Sequence, residues 1–218
     1  MASNLVGGLT VAVLALALVL GGFGAGTALS RGGSVGTTTT ATTTVVNASA
    51  PFDITLVIAT GSVFNSSAAD QPAYFVLGPH GLESAGNIAV PVNRTIQLTI
   101  VNYDDGNASF VQSGINVVSG TTGGTITFAS NDNINSTQGP NGIVIKGGET
   151  TSTVPADSVA HTFSVPSLGL NIPVPLSSTV VATFKITHAG SFTWFCLTAC
   201  GDAAMSTTGW MTGSLAAS

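Results

Sequence analysis

Charged side chains are scarce in this chain: Asp, Glu, Lys and Arg make up only 6% of its 218 residues, against roughly 25% in an ordinary soluble protein. Binding to nucleic acid is excluded, because a phosphate-binding surface cannot be built from four basic residues, Arg31, Arg94, Lys146 and Lys185. The sequence also lacks the histidine–glutamate spacing of zinc helices, a Gly-x-Ser-x-Gly motif and a phosphate-cradling loop. These absences leave no motif for hydrolysis or phosphoryl transfer.

One long apolar run is present, and it stands at the N-terminus. Residues 5–29 carry no charge, and about 20 apolar residues of helix are enough to cross a bilayer. We interpret residues 1–30 as a transmembrane anchor, with a cleaved signal peptide as the alternative because the small residues near 26–28 could be cut. Residues 31–50 follow as a linker whose centre, 37–44, is nearly all threonine and cannot form a core.

Export is indicated by the glycosylation pattern as well as by the Thr-rich linker. The Asn-x-Ser/Thr acceptor motif occurs at Asn47, Asn65, Asn93, Asn107 and Asn135. Low charge suits an exterior of low pH, such as that of an acid-living archaeon. We therefore expect a glycoprotein of the cell membrane whose folded domain faces the extracellular side.

From residue 51 onward the pattern is that of β-strands. Runs rich in Ile, Val, Leu and Thr occur at 53–60, 94–102 and 179–187, and the strand pattern continues at 191–196; Gly, Asn, Asp and Pro lie between the runs. Several short strands of this kind predict an all-β sandwich or barrel. Residues 51–218 are long enough for one core, with an elaborated insertion at about 104–157. Within it we predict a loop at 131–142 and allow strands near 109–118, 125–129 and 142–146.

The two cysteines of the chain lie four residues apart, in Phe-Cys-Leu-Thr-Ala-Cys-Gly at 195–201. Two thiolates at this spacing on a tight loop can face one point in space, and the thioethers of Met205 and Met211 follow. Thiolate and thioether ligands favour copper over harder divalent ions. If His161 joins them in space, the site is a copper electron-transfer centre; if it does not, Cys196 and Cys200 form a disulfide, as is usual in exported proteins.

The C-terminal segments resemble a known family, the cupredoxins, and within it the copper domain of cytochrome oxidase subunit II. The resemblance spans about 159–215 and rests on His-Thr-Phe-Ser-Val-Pro-Ser-Leu-Gly at 161–169, Gly-Ser-Phe at 190–192, the Cys-x3-Cys-Gly motif and Met-Thr-Gly-Ser-Leu at 211–215. The anchor and Thr-rich linker are similar to those of the sulfocyanins, membrane-tethered archaeal blue copper proteins. The family implies a cupredoxin-like Greek-key β-sandwich.

The resemblance also implies a set of copper ligands. It assigns an imidazole ligand to His161, thiolate ligands to Cys196 and Cys200, a weak axial thioether to Met211, and a carbonyl ligand to Thr198. The second histidine of the family falls at Ala204. Three alternatives remain: Met205 or Asp202 replaces this histidine, one copper binds without it, or His80 or His188 folds in. We discount His188, which lies several residues of strand away from Cys196.

The function that follows is the transport of single electrons by one or two copper ions. We expect a respiratory carrier or an oxidase subunit II-like component rather than an enzyme, with a redox protein or oxidase subunits as partners and the membrane as support. Two alternatives stay open: a copper-free subunit of a terminal oxidase, and a disulfide-bonded, glycosylated surface protein that uses the sandwich as scaffold.

Overall fold

Strands dominate the part of the chain that the structure describes. A computed structural model describes residues 50–60, 71–106, 113–133, 135–139 and 142–218, all in one compact unit. A single short α-helix, α1, spans Asp202–Ser206 within these ranges. The strands are β1 (Phe52–Thr60), β2 (Pro72–Gly78), β3 (Gly81–Ser84), β4 (Asn87–Val90), β5 (Thr95–Asn102), β6 (Ile126–Ser130), β7 (Asn135–Gly139), β8 (Gly142–Lys146), β9 (Glu149–Thr151), β10 (Val159–Val165), β11 (Leu170–Pro175), β12 (Ser178–Lys185), β13 (Gly190–Phe195) and β14 (Thr212–Ala217).

Two sheets form the body of the molecule. The first has the order β3-β2-β1-β5-β12-β6-β9 and the second β11-β10-β13-β14-β4, while β7 and β8 pair as a separate hairpin. The chain passes between the sheets at β3–β4, β4–β5, β9–β10, β11–β12 and β12–β13, and β1 pairs with β5 in parallel, as does β4 with β14. These crossings confirm the predicted all-β sandwich.

The core lies between the two sheets and follows from the period-two alternation of the strands. In β14, for example, buried and half-buried positions alternate without a break, because successive side chains of a strand point to opposite faces. Trp194 is its largest fully buried side chain, stacked on Phe163 with ring centroids 5.4 Å apart. Its indole Nε1–H donates to the carbonyl of Ala85 at 3.2 Å, so strand β13 is tied to the loop between β3 and β4.

Strand β10 is buried on both of its faces. One face meets the core through Phe163 and Val165. β11, which pairs with β10, lies beside the segment that precedes β6. Ser119 of this segment forms an isolated bridge with Asn171 of β11, and the Asn171 amide donates to the carbonyls of Ile115 and Val117. A strand enclosed in this way has little freedom to move, and it is the strand that carries His161.

The predicted loop at 131–142 is wrong in part, because strand β7 lies within it and pairs in antiparallel register with β8. Its sequence, Asn-Ser-Thr-Gln-Gly, has low β-propensity, but backbone pairing with the Ile-Val-Ile run of β8 compensates, as tertiary context often overrides propensity. The strands allowed near 125–129 and 142–146 are present as β6 and β8. In 113–118 the structure has turns and an isolated bridge at Val117 instead of a strand.

The predicted anchor and linker, residues 1–49, lie outside the described residues. No helix of the described part is long and apolar enough to cross a membrane. Of the five glycosylation acceptors, Asn93 is the one whose side chain is described, and it is exposed in a turn at φ 59°. The insertion at 104–157 stays a prediction.

Candidate metal centre

Two segments that are far apart in sequence meet at one end of the sandwich and bring three candidate ligands together. His161 is the third residue of β10, Cys196 follows β13 directly, and Cys200 lies in the loop between β13 and α1. Each is held by an element that the core packs firmly: Cys196 N–H donates to the Met211 carbonyl at 2.8 Å, which ties the end of β13 to the start of β14. The predicted convergence of His161 with the two cysteines is therefore present.

The ligand atoms of His161, Cys196 and Cys200 lie within 4.8 Å of one another, and all three residues are buried. The imidazole Nδ1 is 3.1 Å from the Cys200 sulfur and 3.9 Å from the Cys196 sulfur. The two sulfurs are 3.2 Å apart, well beyond the bond length of about 2.05 Å in a disulfide, and both cysteines are free. One nitrogen and two sulfurs thus surround a common point.

The other ring nitrogen of His161 faces a carboxylate. Nε2 is 2.8 Å from Oδ2 of Asp104, a residue in the turn after β5. The second oxygen, Oδ1, accepts the backbone N–H of Gly106 at 2.9 Å. An imidazole held by a carboxylate at one nitrogen presents the other to a metal in fixed orientation, as is usual around metal-ligating histidines.

Two threonines hold the cysteine loop. The Thr198 hydroxyl donates to the Ala160 carbonyl at 2.8 Å and also lies 3.0 Å and 3.1 Å from the sulfurs of Cys196 and Cys200. Thr162 Oγ1 accepts the N–H of Leu197 at 2.8 Å, and Thr162 N–H points at the Cys196 sulfur at 3.4 Å. These contacts fix the loop to β10. The resemblance assigned a carbonyl of Thr198 to the site, whereas its hydroxyl is the group in contact with the sulfurs here.

The pKa values of His161 and Cys196 shift in opposite directions, so that the cluster holds a positive and a negative charge side by side. Burial opposes charge on His161, but hydrogen bonds to Asp104 and Cys196 outweigh it and raise its pKa to about 9. Burial likewise opposes charge on Cys196, yet hydrogen bonds from Cys200 and His161 lower its pKa well below the usual value. The hydrogen bond to Cys196, with burial, raises the pKa of Cys200. At neutral pH the two cysteines therefore share one proton and one negative charge, which faces an imidazolium.

The other residues predicted as possible ligands differ in how deeply they are buried. Met211 is fully buried, and its backbone N–H donates to the Ala204 carbonyl at 3.2 Å. Met205 lies in α1 and is 37% exposed. His80, in the β2–β3 turn, and His188, before β13, are exposed and outside the cluster, as was expected of His188. The ligand roles of Met205 and Met211 stay predictions.

Aromatic rings enclose the inner side of the cluster. Tyr74 on β2 meets His161 edge-on, with ring centroids 6.4 Å apart, and also meets Phe163 and Trp194 edge-on. Tyr74 is fully buried, and burial, together with the charges of Cys196 and Cys200, raises its pKa well above the usual value. The phenol is therefore neutral, and water is kept from this side.

Sequence reasoning missed Asp104 and Tyr74 as parts of the site. Neither residue belongs to the cysteine motif or to the segments that carry the family resemblance. The available signal for Asp104 was its position directly after a predicted strand, since polar residues at strand ends often meet at one end of a sandwich. For Tyr74, one of two tyrosines in the chain, no local pattern distinguishes it from a core aromatic.

The Asp104 contact predicts how metal binding depends on pH. An imidazolium cannot ligate a metal, so binding must displace the His161 proton as well as the proton that the two cysteines share. Affinity therefore rises with pH, and the part of the rise that comes from His161 ends at about pH 9. In Asp104→Asn the carboxylate no longer raises the His161 pKa, so the steep part of the profile shifts to lower pH. Above that region we expect affinity about 10–100-fold weaker than in the parent, because the imidazole loses its orienting partner.

Affinities measured by chelator competition between pH 5 and 10 check this expectation. Asp105→Asn is the matched control, because Asp105 is the exposed neighbouring carboxylate. If metal affinity depended on pH in the same way in Asp104→Asn and in the control, Asp104 would neither orient the His161 imidazole nor raise its pKa.

The donor set fits a thiophilic metal, and copper in particular. Imidazole and thiolate are ligands that copper accepts readily, and the three donor atoms already converge. A cavity of about 220 Å³ opens beside them, lined in part by Pro72, Asp104, His161, Ala199 and Cys200. The ligands are thus buried, at 2% exposure for His161 and 1% for Cys196, yet close to the surface. The class of protein that fold and site define is an all-β sandwich with a candidate metal centre at one end.

Comparisons with known proteins find similar solved structures and no match by sequence. No model of a protein family matches the sequence, and no curated protein matches it. Among solved structures, the chain is similar to the periplasmic domain of subunit II of cytochrome oxidase of Bradyrhizobium japonicum, with 12% identity, a TM-score of 0.35 and coverage of 78% of this chain and 85% of that one.

Two further structures are similar to a comparable degree. Rusticyanin from Thiobacillus ferrooxidans has 17% identity and a TM-score of 0.32, with 76% of each chain covered. The blue copper oxidase from Nitrosomonas europaea has 9% identity and a TM-score of 0.37, and the match covers 78% of this chain and 44% of that one.

Proposed function

We propose that the chain is a copper protein that carries single electrons in a domain facing the exterior of the cell membrane. The observation that carries the proposal is the buried cluster of His161, Cys196 and Cys200, whose three ligand atoms lie within 4.8 Å. When bound there, copper would supply a one-electron couple between its two common oxidation states. Two thiolates and an imidazole suit both states, because these ligands are soft enough for the reduced ion.

The surroundings support electron transfer more than catalysis. The ligands sit on β10 and at the end of β13, which the core and Thr162 and Thr198 hold in place, so the donor atoms change position little between oxidation states. Burial keeps bulk water from the sulfurs. The cavity beside His161 and Cys200 brings the site near the surface at Pro72 and Ala199, and this neutral edge is where a redox partner would dock.

The exterior location rests on sequence, namely the apolar run, the Thr-rich linker and the glycosylation motifs. The cytochrome oxidase structure to which the chain is similar is described as a periplasmic domain, which is consistent with such a location. The partner is then a soluble redox protein or the other subunits of an oxidase. Attachment to the membrane and the identity of the redox partner are parts of the proposal, as the exterior location is.

Spectroelectrochemistry of the copper-loaded chain tests the function. We expect a thiolate-to-copper absorption band that disappears and returns reversibly with one electron per centre, and no sustained oxygen consumption with reducing substrates. The second measurement matters because some similar structures are multicopper oxidases. Irreversible bleaching, or steady oxygen turnover, would contradict an electron carrier.

A second candidate is favoured by the 3.2 Å separation of the two sulfurs. A small movement would bring them to bonding distance. An external two-electron oxidant, such as the disulfide of another molecule, would then take two electrons and the Cys200 proton as the bond between the sulfurs forms. The product would be a disulfide-stapled, copper-free scaffold. Protein purified without reductant distinguishes the two: free thiols with bound copper support the carrier, and a disulfide without copper supports the scaffold.

A further inference from the structure

The hydroxyl of Tyr74 is unusual among the buried polar groups of the described residues. Within this part of the chain only Tyr74 Oη and Thr121 Oγ1 are buried side-chain oxygen or nitrogen atoms without a hydrogen-bond partner. Tyr74 is 0% exposed. Nearly all buried polar groups in native proteins are paired, and an orphan group calls for a specific reason, such as a ligand.

This hydroxyl belongs to a ring that borders the metal centre. The Tyr74 and His161 rings meet edge-on at 6.4 Å, and the charges of both cysteines act on the phenol. Its oxygen makes no hydrogen bond to either sulfur or to any other group of the described residues. The lone pairs of this oxygen are therefore available to a ligand. The backbone is fixed, because Tyr74 N–H donates to the Trp210 carbonyl at 2.9 Å and Tyr74 pairs with Ile58 in β1.

The start of β2, which carries Tyr74, packs against the position where the family resemblance would place a second histidine ligand. Ala204 stands where the family has its second histidine, and its backbone N–H donates to Oε1 of Gln71 at 2.8 Å. Gln71 lies three residues before Tyr74. The start of β2 therefore packs onto the loop and helix that would otherwise supply the missing donor.

We propose that the phenol oxygen of Tyr74 is a fourth, weak donor to the metal held by His161, Cys196 and Cys200. The inference rests on the proposed function, since it requires a metal at this cluster. Two thiolates already balance the charge of a divalent ion. A neutral oxygen adds no further charge to the buried site, where excess charge is costly. Weak axial donors, including oxygen atoms, complete trigonal copper sites.

Titration of the full-length chain with Co²⁺, which reports donor number and type in its d–d bands without oxidising thiols, tests the assignment. Tyr74→Phe keeps the ring and removes only the hydroxyl; Tyr103→Phe, at an exposed position, is the matched control. We expect Tyr74→Phe to bind Co²⁺ about tenfold more weakly, with altered d–d bands, and Tyr103→Phe to match the parent. The melting temperature of metal-free Tyr74→Phe should be no lower than that of the parent, because the lost hydroxyl had no partner.

The outcomes separate this inference from the proposed function. If the parent binds neither Co²⁺ nor copper, both fail. If the parent binds and Tyr74→Phe has the same affinity and spectrum, only the role of Tyr74 fails. In that case Met211→Leu would change the spectrum if the methionine is the weak donor. A lower melting temperature of metal-free Tyr74→Phe would also overturn the inference, since it would mean that the hydroxyl already has a structural partner.

Discussion

Replacing Cys196 with serine is expected to weaken copper binding by about two to three orders of magnitude and to abolish the thiolate-to-copper absorption band. Metal sites built from thiolate and imidazole have binding free energies of about 10–16 kcal/mol, so one of four ligands accounts for roughly 3–4 kcal/mol, and each 1.4 kcal/mol is tenfold. Serine fits the same space, but its hydroxyl does not ionise near neutral pH and is a hard donor. In the metal-free protein the substitution also removes the negative partner of the His161 imidazolium.

Copper affinity by chelator competition and the visible spectrum measure the effect. Thr193→Ser is a suitable control, because Thr193 lies on the same strand, β13, with an exposed side chain. Cys196→Ser that retains parental affinity and its absorption band would remove Cys196 from the site. Equal losses in the control would instead mean that changes to β13 alone disturb the protein.

Replacing Trp194 with alanine is expected to lower the free energy of unfolding by about 3–5 kcal/mol, the range for truncating a large buried aromatic residue. Trp194 is 0% exposed, stacks on Phe163 and contacts Tyr74. Its removal leaves a cavity and leaves the Ala85 carbonyl without the indole donor at 3.2 Å. Gly213 packs directly against the indole, since a Cβ there would lie 2.6 Å from the indole nitrogen, and a glycine has no side chain to extend into the cavity.

Chemical denaturation of the metal-free protein measures this loss, with Trp210→Ala as the matched control. Trp210 is the other tryptophan of the chain and is only partly buried, so its truncation should cost clearly less. Since Trp194 lies two residues before Cys196 and contacts Tyr74, copper affinity should fall together with stability in Trp194→Ala. Equal destabilisation by the two variants would contradict the central place of Trp194 in the core.

The strands that could be predicted from the sequence are those whose side chains show a pattern typical of β-strands. The runs that became β1, β5, β12 and β13 are rich in β-branched, other apolar or aromatic residues, and their predicted bounds agree with the observed ones within one or two residues. Strand β7 could not be predicted, because its pairing with β8 depends on backbone hydrogen bonds and not on its polar side chains. The N-terminal anchor and linker lie outside the described residues and stay predictions.

The metal centre could be predicted where its residues form a linear motif. The spacing of Cys196 and Cys200 is local, and the residues around His161 match a family pattern, so the convergence of these three was foreseeable. Asp104 reaches His161 across 57 positions of sequence, and Tyr74 comes from still farther away. Such contacts arise only when β2 and β5 are packed in the first sheet beside the second, and no short pattern records them.

Copper K-edge X-ray absorption of the reduced, copper-loaded protein tests the central claim most directly, because it reports which atoms surround the metal. The account predicts one tightly bound copper or a pair, with sulfur scatterers at about 2.3 Å and imidazole nitrogen at about 2.0 Å, by analogy with zinc sites of the same ligands. In His161→Ala the nitrogen contribution should fall while sulfur remains, and His188→Ala should leave the spectrum unchanged. A shell of oxygen and nitrogen alone, or a protein that holds no copper after reduction of its cysteines, would contradict a copper centre at His161, Cys196 and Cys200.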